Sequence, residues 1–415
     1  MGRVRKFIGR LLRLREIFVI DYTFGVRERA LHLWVRPHKS GCRCPHCDRR
    51  CPIVRISADV RMWRDLPVAG WTVCFWYQPK EIRCPAHGRV QEVIPWAAPY
   101  ARITHRLEYA LLRYCQVMPQ KAAAELLHLA PSTLSDLLHQ SITRLRAGHT
   151  IRGLRSLGVD EVAYCKGQKY ATLVYDLARA RVVWVGAGKG RETIDRFFQA
   201  ALSPYQTAQI REASCDMSEA YLGALQHHCP QAALVLDRFH VAKALNGALD
   251  EVRKEQWREA APAARKLLKG LRWLLFKHSA HRSKRDSRIL HALRKGNRRI
   301  YRAWVLKDEF EQFWTYQSKA AAARFFQRWT TAALRSRLDP LRKLVRTFRK
   351  HRTEILAFIT THLTNAVAEG LNRIIKIVKN RASGFRTLAA FTDMIFLTVG
   401  DVDLPAQIPA KFRAV

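Results

Sequence analysis

The sequence predicts a multidomain α/β protein: a mixed sheet with a large all-helical insertion, preceded by a small metal-binding module and a three-helix unit. Three observations predict this. Between Ser156 and Asp237 short apolar runs alternate with helical stretches, the texture of an α/β sheet. From His240 to about Phe358 the period is helical throughout, with little Gly or Pro. Ahead of both, Cys44-Pro-His-Cys47 and Cys84-Pro-Ala-His87 form two pairs at turn spacing, as zinc knuckles do.

The chain has 415 residues, more than one hydrophobic core usually holds, and 48% of them are apolar, enough for real cores. Its 73 Lys and Arg against 34 Asp and Glu leave a net charge of +39. The basic residues recur along the whole length, as in a protein whose several modules each neutralise phosphates. Nucleic acid is therefore the expected partner. The apolar stretch after Arg3, Arg5 and Lys6 is broken by Arg10, Arg13 and Arg15, so it lacks the core of a signal peptide. No segment approaches a membrane span, and a cytoplasmic, nucleoid-associated protein is expected, with cysteines reduced and free to hold metal.

Residues 1–38 read as a short basic helix followed by β-like alternation at Phe18–Asp21 and Ala30–Val35. Residues 39–100 form the zinc-finger-like module, with Cys44, Cys47, Cys84 and His87 as candidate ligands to structural Zn²⁺. Cys42, His46 and Cys51 are further candidates that blur the ligand set. Residues 101–150 turn helical, with breaks at Met118-Pro119 and Leu129-Ala130-Pro131-Ser132. Three helices there suggest a helix-turn-helix, in which Gln120–Leu127 supports a second helix capped by Ser132. Thr133, Ser135, Asp136 and His139 fall near that helix's exposed face; a plain three-helix bundle would read the same way.

Residues 151–240 and 359–400 are read as the two parts of one catalytic domain, 241–358 as a helical insertion, and 401–415 as a tail. Ser156–Asp160 reads as a strand ending in a carboxylate, Tyr170–Asp176 and Arg181–Val185 as a hairpin, and Glu192–Leu202 as a helix. Ala213–Asp216 is a short strand ending in a second carboxylate, Ser218–His228 a helix, and Ala232–Leu236 a fifth strand that ends at Asp237. Three antiparallel strands, a helix, then strand, helix and strand is the element order of the ribonuclease H-like (RNase H-like) fold. In the insertion, Trp257, Trp273, Trp304, Trp314 and Trp329 at helical spacing are expected in a core rather than as base-stacking groups. Its basic clusters Lys266–Arg272 and Arg282–Arg288 suit either phosphate contacts or a solvated face. An amphipathic helix beginning near Thr364 aligns Asn365, Glu369, Asn372, Lys376 and Lys379 on one polar stripe.

Phosphodiester cleavage needs a deprotonated water and a stabilised leaving oxygen, and two Mg²⁺ ions held by carboxylates supply both. Asp160, Asp216 and Glu369 are the candidate set, hard oxygen donors without His or Cys. Glu161 and Asp237 lie equally near strand ends and compete with them.

At these residues the chain resembles the DDE transposases of bacterial insertion sequences, specifically the ISL3 family, over essentially its full length. The matching motifs are Gly158-Val-Asp160-Glu161 with Lys166-Gly-x-Lys-Tyr170-Ala-Thr; Cys215-Asp216-Met-Ser-Glu-Ala-Tyr221; Asp237-Arg-Phe-His240-Val-x-Lys; and Thr364-Asn365-x-x-x-Glu369-Gly-x-Asn372-x-x-Ile-Lys376 leading to Gly384-Phe385. Together they are specific, although each alone is weak. The resemblance implies a zinc-finger-like segment, a helix-turn-helix and an RNase H-like catalytic domain interrupted by the insertion. It gives the catalytic, Mg²⁺- or Mn²⁺-binding roles to Asp160, Asp216 and Glu369. Candidate DNA contacts are Ser132, Thr133, Ser135 and His139, with Lys166, Lys169, Arg238, His240, Asn365, Asn372 and Lys376 from the quoted motifs. The family's second knuckle is Cys-x-x-Cys; His87 departs from it but is a competent zinc ligand.

The expected activity is binding of terminal inverted repeats in double-stranded DNA, metal-dependent nicking, and attack of the freed 3′ hydroxyl on target DNA, by a homodimer assembled on the DNA. The alternatives are a Tyr- or Ser-nucleophile recombinase, a non-catalytic DNA-binding regulator derived from a transposase, and a ribonuclease of the same fold.

Overall fold

The computed structural model describes residues 2–14, 17–37, 42–165, 167, 169–400, 402 and 404. The chain forms two compact units, one of residues 1–149 with 377–415 and the other of residues 150–376.

The first unit opens with α1 (Gly2–Leu11), β1 (Ile17–Gly25) and β2 (Ala30–Pro37). It continues through β3 (Ile53–Ile56), β4 (Arg61–Val68), β5 (Trp71–Tyr77), β6 (Lys80–Cys84) and β7 (Gly88–Gln91). Strands β1, β2, β5 and β4 lie side by side in one sheet, with β2 and β5 parallel and the outer pairs antiparallel. Where the sequence separates 1–38 from 39–100, this sheet takes two strands from each side of that boundary. The reason is apolar burial: Leu33 and Val35 of β2 and Val73 and Phe75 of β5 form one core with Trp63, Trp96 and Ile8 of α1. The knuckles belong to a separate three-stranded sheet in the order β3-β6-β7.

Three helices follow: α2 (His105–Val117), α3 (Gln120–Leu126) and α4 (Pro131–Arg146). Thr104 caps α2, accepting from the Leu107 N–H. The expected cap at Ser132 is displaced by two residues. Ala130 is the N-cap and Pro131 takes the first turn of α4, a position where a missing N–H costs nothing. Buried Glu108 ties α2 to α4, accepting from Ser141 (2.6 Å) and pairing with Arg144.

The second unit is built on a five-stranded sheet of β8 (Ser156–Cys165), β9 (Lys169–Asp176), β10 (Arg181–Ala187), β11 (Glu212–Cys215) and β12 (Ala233–Leu236). Their spatial order is β10-β9-β8-β11-β12. The first three are antiparallel neighbours, whereas β8, β11 and β12 run parallel. Helices α5 (Arg191–Ala201), α6 (Pro204–Ala208) and α7 (Glu219–His228) form the connections, α6 being a turn that the sequence reading does not contain. Ile194 and Phe197 of α5 pack with Leu157 and Val159 of β8 in the main core.

After β12 the chain is helical: α8 (Arg238–Glu259), α9 (Pro262–Gly270), α10 (Arg272–Phe276), α11 (Lys284–Gly296), α12 (Arg298–Phe310), α13 (Lys319–Arg335), α14 (Asp339–Lys350) and α15 (Arg352–Thr361). Phe310, Phe326, Trp329 and Phe348 are packed in its interior, with the Phe310 ring 4.7 Å from Trp329. Truncating any of these aromatics to Ala is expected to cost about 3–5 kcal/mol. The tryptophans divide: Trp304 and Trp329 are buried, while Trp273 is exposed under Arg272 and Trp257 sits beside Arg265. The last elements are α16 (Ala366–Arg381) and α17 (Leu388–Val399). Helix α17 packs on α2 and α4 in the first unit, so residues 388–399 leave the 359–400 segment with which the sequence groups them.

Candidate functional site

Two residue clusters among the described residues are candidates for chemistry. In the first unit, Cys44, Cys47, Cys84 and His87 bring one ligand atom each to within 4.8 Å of all the others, the one such His, Cys and carboxylate group among the described residues. Cys47 Sγ is 3.5 Å from Cys84 Sγ, and His87 Nδ1 is 3.5 Å from Cys84 Sγ and 3.7 Å from Cys44 Sγ. A tetrahedron with Zn–S bonds of about 2.3 Å has edges of about 3.8 Å, so the four donors fit a structural Zn²⁺. The knuckles hold their shape through local bonds: Asp48 donates its N–H to the Cys44 carbonyl, and Gly88 takes φ +67° directly after His87. The His87 hydrogen bond pushes the Cys84 thiol down to about 6, towards the thiolate that binds metal. Cys42, His46 and Cys51 lie outside the set of four.

The second site lies where the parallel part of the five-stranded sheet ends. β11 pairs with β8 only from Ser156 to Gly158, whereas the antiparallel ladder with β9 continues to Cys165. Asp160 therefore stands within a strand rather than at its end, as the sequence suggests, but it sits two residues past the last parallel pair, where α/β sheets bind ligands. Its Oδ1 accepts the Glu161 N–H (2.8 Å) and its Oδ2 accepts from Asn372 Nδ2 (2.7 Å). Asp216 follows β11 directly, and its Oδ1 accepts the Ser218 N–H (2.9 Å). Asp237 follows β12 and caps α8, accepting the Phe239 N–H.

Glu369 is exposed in the first turn of α16. Backbone packing brings this helix to β8. A Cβ on Gly158 would meet Leu177 Cδ2 at 2.8 Å and Asn365 Oδ1 at 3.0 Å, so the absence of a side chain at Gly158 admits the start of the helix segment. Asn365 is buried, and its Oδ1 has no hydrogen-bond partner among the described residues.

The carboxylates share one electrostatic neighbourhood. Burial raises the Asp160 carboxyl first, and Asp216 raises it further, against the Glu161 N–H, His240 and Asn372. Asp237 is raised by burial and then by both Asp160 and Glu369, against the Phe239 N–H and His240. Glu161 is raised by burial and by Asp216 and Asp160, with Lys189 opposing. Asp237 thus faces two of the three candidate acids, and both competitors from the sequence join the same cluster. Among the described residues the acids do not close to a 4.8 Å group as the thiols do. Hard carboxylate oxygens without sulfur or imidazole donors suit Mg²⁺ or Mn²⁺.

The other expected contacts divide by exposure. Ser132 and Thr133 are exposed on the first turn of α4, Ser135 is half-buried, and Lys169 and Lys376 are exposed. His139 is exposed as well, and its Nδ1 lies 2.9 Å from Asp393 Oδ2 of α17. Arg238 is exposed over Trp314, and half-buried His240 stands 3.8 Å from Asp237. Asn365 and Asn372 are buried rather than on an open stripe, Asn365 against Gly158 just before α16 and Asn372, on α16, against Asp160. Lys166 lies outside the described residues. What the sequence reading misses is Tyr175, whose hydroxyl donates to Asn372 Oδ1 (2.6 Å); its alternation in β9 marks it as core and nothing more.

A family model described as "Transposase", of the ISL3 class with DDE in its name, matches residues 157–395, and one described as the helix-turn-helix domain of transposase family ISL3 matches residues 92–142. The chain is 32% identical over 368 residues to the transposase for insertion sequence element IS1001 of Bordetella parapertussis, covering 86% of this chain and 89% of that protein. It is 27% identical over 391 residues to the transposase for insertion sequence element IS1557 of Mycobacterium tuberculosis, covering 88% and 87%. With more than half of its length matched by the family model, this chain belongs to the ISL3 family of transposases.

Proposed function

We propose that the protein binds the terminal inverted repeats of an insertion sequence and catalyses metal-dependent cleavage and strand transfer through Asp160, Asp216 and Glu369. The observation that carries this reading is the position of Asp160 on β8, two residues past its last pair with β11, and of Asp216 directly after the parallel strand β11, in a sheet ordered β10-β9-β8-β11-β12. That order, three antiparallel strands continued by two parallel ones, supports the RNase H-like reading. For Glu369 the support is electrostatic: burial raises the Asp237 carboxyl, and the charges of Asp160 and Glu369 raise it further.

Asp160, Asp216 and Glu369 would hold a pair of Mg²⁺ or Mn²⁺ ions, which when bound supply an activated water and charge neutralisation at the leaving oxygen. The chain's own residues hold the carboxylates in place, Asp160 by two N–H donors and Asp216 by its turn to Ser218. The scissile phosphate would be gripped by exposed cations of the same motifs, Lys169, Lys376 and Arg238. Exposed Ser132 and Thr133, on the first turn of α4, would approach DNA from the helix-turn-helix, with the zinc module as a rigid support. A dimer on two paired ends, in a nucleoid-associated cytoplasmic protein, completes the reading.

The test is incubation of purified protein with a labelled duplex carrying the element's terminal repeat, with and without Mg²⁺ or Mn²⁺. Glu369→Gln should bind the duplex and fail to cut it. Cleavage by that variant at the parent rate would sink the three-acid assignment.

A further inference from the structure

Resting on that assignment of Asp160 and Glu369, we propose that Asn372, oriented by Tyr175, is a positioning residue. It fixes the Asp160 carboxylate and sets the register of the helix that carries Glu369.

Asn372 was expected to touch DNA, yet it is buried and both ends of its amide are engaged inside the protein. Asp160 Oδ1 already accepts the Glu161 N–H, and an ionised carboxylate only accepts. The amide end that meets Asp160 Oδ2 must then be the NH₂, which leaves Asn372 Oδ1 requiring a donor. Tyr175 supplies it at 2.6 Å from a fully buried position on β9, and burial keeps the phenol protonated by raising it well above its ordinary value. The donors therefore run one way, from the Tyr175 hydroxyl to Asn372 and from the Asn372 amide to Asp160. That direction favours a charged Asp160. A flipped amide would set carbonyl oxygen against carboxylate and hydroxyl hydrogen against NH₂.

Two consequences follow for the chemistry. Each Asp160 oxygen takes one neutral N–H, so the plane of the carboxylate is fixed while further lone pairs stay open for a cation. Asn372 also lies one turn beyond Glu369 on α16. The helix segment is thus clipped to β8 at Asn365 against Gly158 and at Asn372 on Asp160, two points that bracket Glu369.

The experiment uses the full-length protein and Mn²⁺ as probe, read by electron paramagnetic resonance of the free ion and by the Mn²⁺ concentration that half-saturates duplex cleavage. Tyr175→Phe removes one hydroxyl and keeps the ring. It should weaken Mn²⁺ binding about tenfold, at the lower end of what loss of a ligand's supporting hydrogen bond causes, and lower the thermal midpoint by no more than the loss of one buried hydrogen bond. Asn372→Ala should do the same or more, and adding Tyr175→Phe to it should have no further effect, because the hydroxyl acts through the amide. Parent-like Mn²⁺ binding by Tyr175→Phe, or additive losses in the double variant, overturns the proposal. If Asn372→Ala fails to fold, Tyr175→Phe still decides. Asp160→Asn separates the two layers. Intact Mn²⁺ binding and cleavage in that variant would remove the catalytic assignment itself. Loss of both there, beside parent-like Tyr175→Phe and Asn372→Ala, would remove only the positioning role.

Discussion

Asn365 Oδ1 lies 3.0 Å from where a Cβ would sit on Gly158, two residues before Asp160. The same virtual atom would meet Leu177 Cδ2 at 2.8 Å, a separation that real side chains do not tolerate. Gly158→Ala is therefore expected to push Asn365 or Leu177 outward, at about 1–3 kcal/mol for an overpacked site. Because Asn365 leads into the helix of Glu369, cleavage should fall more than duplex binding. Thermal denaturation and a cleavage assay on the same preparation check this, and an unchanged midpoint would mean that the close approach is dispensable.

Asp237 has the opposite character, a group whose charge the folded state resists. Burial, Asp160 and Glu369 hold its carboxyl above the ordinary 3.8, against the Phe239 N–H and His240. A carboxyl raised in the folded protein binds its proton more tightly there than in the unfolded chain. Its contribution to stability is therefore present at low pH and lost as pH rises through the ordinary value to the raised one. Asparagine caps a helix as well as aspartate does, so Asp237→Asn keeps the bond to Phe239 and removes the charge. The variant should melt above the parent at pH 7 without added divalent metal, and the gain should shrink as pH falls below the carboxylate range. A midpoint at pH 7 equal to or below the parent's would contradict the sign.

How far the second site was legible depends on what each residue's signal was. The spacing of apolar runs gave the order of β8 to β12, since alternation reports which face is buried. It put Asp160 at a strand end, whereas the β9 pairing that carries β8 on to Cys165 is tertiary. Asn365 and Asn372 read as a polar stripe because sequence alone reports amides as hydrophilic, not which partners satisfy them. Burial against β8 makes them interior. Residues 1–100 were least legible: the parallel pairing of β2 with β5 joins strands separated by the whole first knuckle, and no local pattern reports it.

The knuckles make a prediction about ligand identity. One Zn²⁺ per chain should co-purify, and Cys84→Ser should abolish it, because Cys84 touches both Cys47 and His87. Cys51→Ser should retain the metal, since Cys51 lies outside the group of four despite being buried beside it. His87→Cys should retain it as well, thiolate and imidazole being interchangeable at a structural site. Atomic absorption on the three variants decides; loss of zinc in Cys51→Ser would redraw the ligand set. Chelation of the parent should lower the melting transition, because the energy of metal binding is folding energy in so small a sheet.

His139 separates a DNA contact from a fold contact. Its ring meets Asp393, 254 residues away in the chain, at 2.9 Å. Burial raises the Asp393 carboxyl while His139 and then Arg146 oppose that rise. Removing the imidazole leaves a largely buried carboxylate with Arg146 as its remaining named counter-charge, a loss of about 1–3 kcal/mol. Ser132 and Thr133 are exposed on the same helix. His139→Ala should therefore lower the thermal midpoint, and the double variant with Asp393→Asn should lose less than the sum of the two. Thr133→Ala should leave the midpoint alone and weaken binding to the repeat duplex. If instead His139→Ala melted like the parent and lost duplex affinity, the ring would be serving DNA rather than α17.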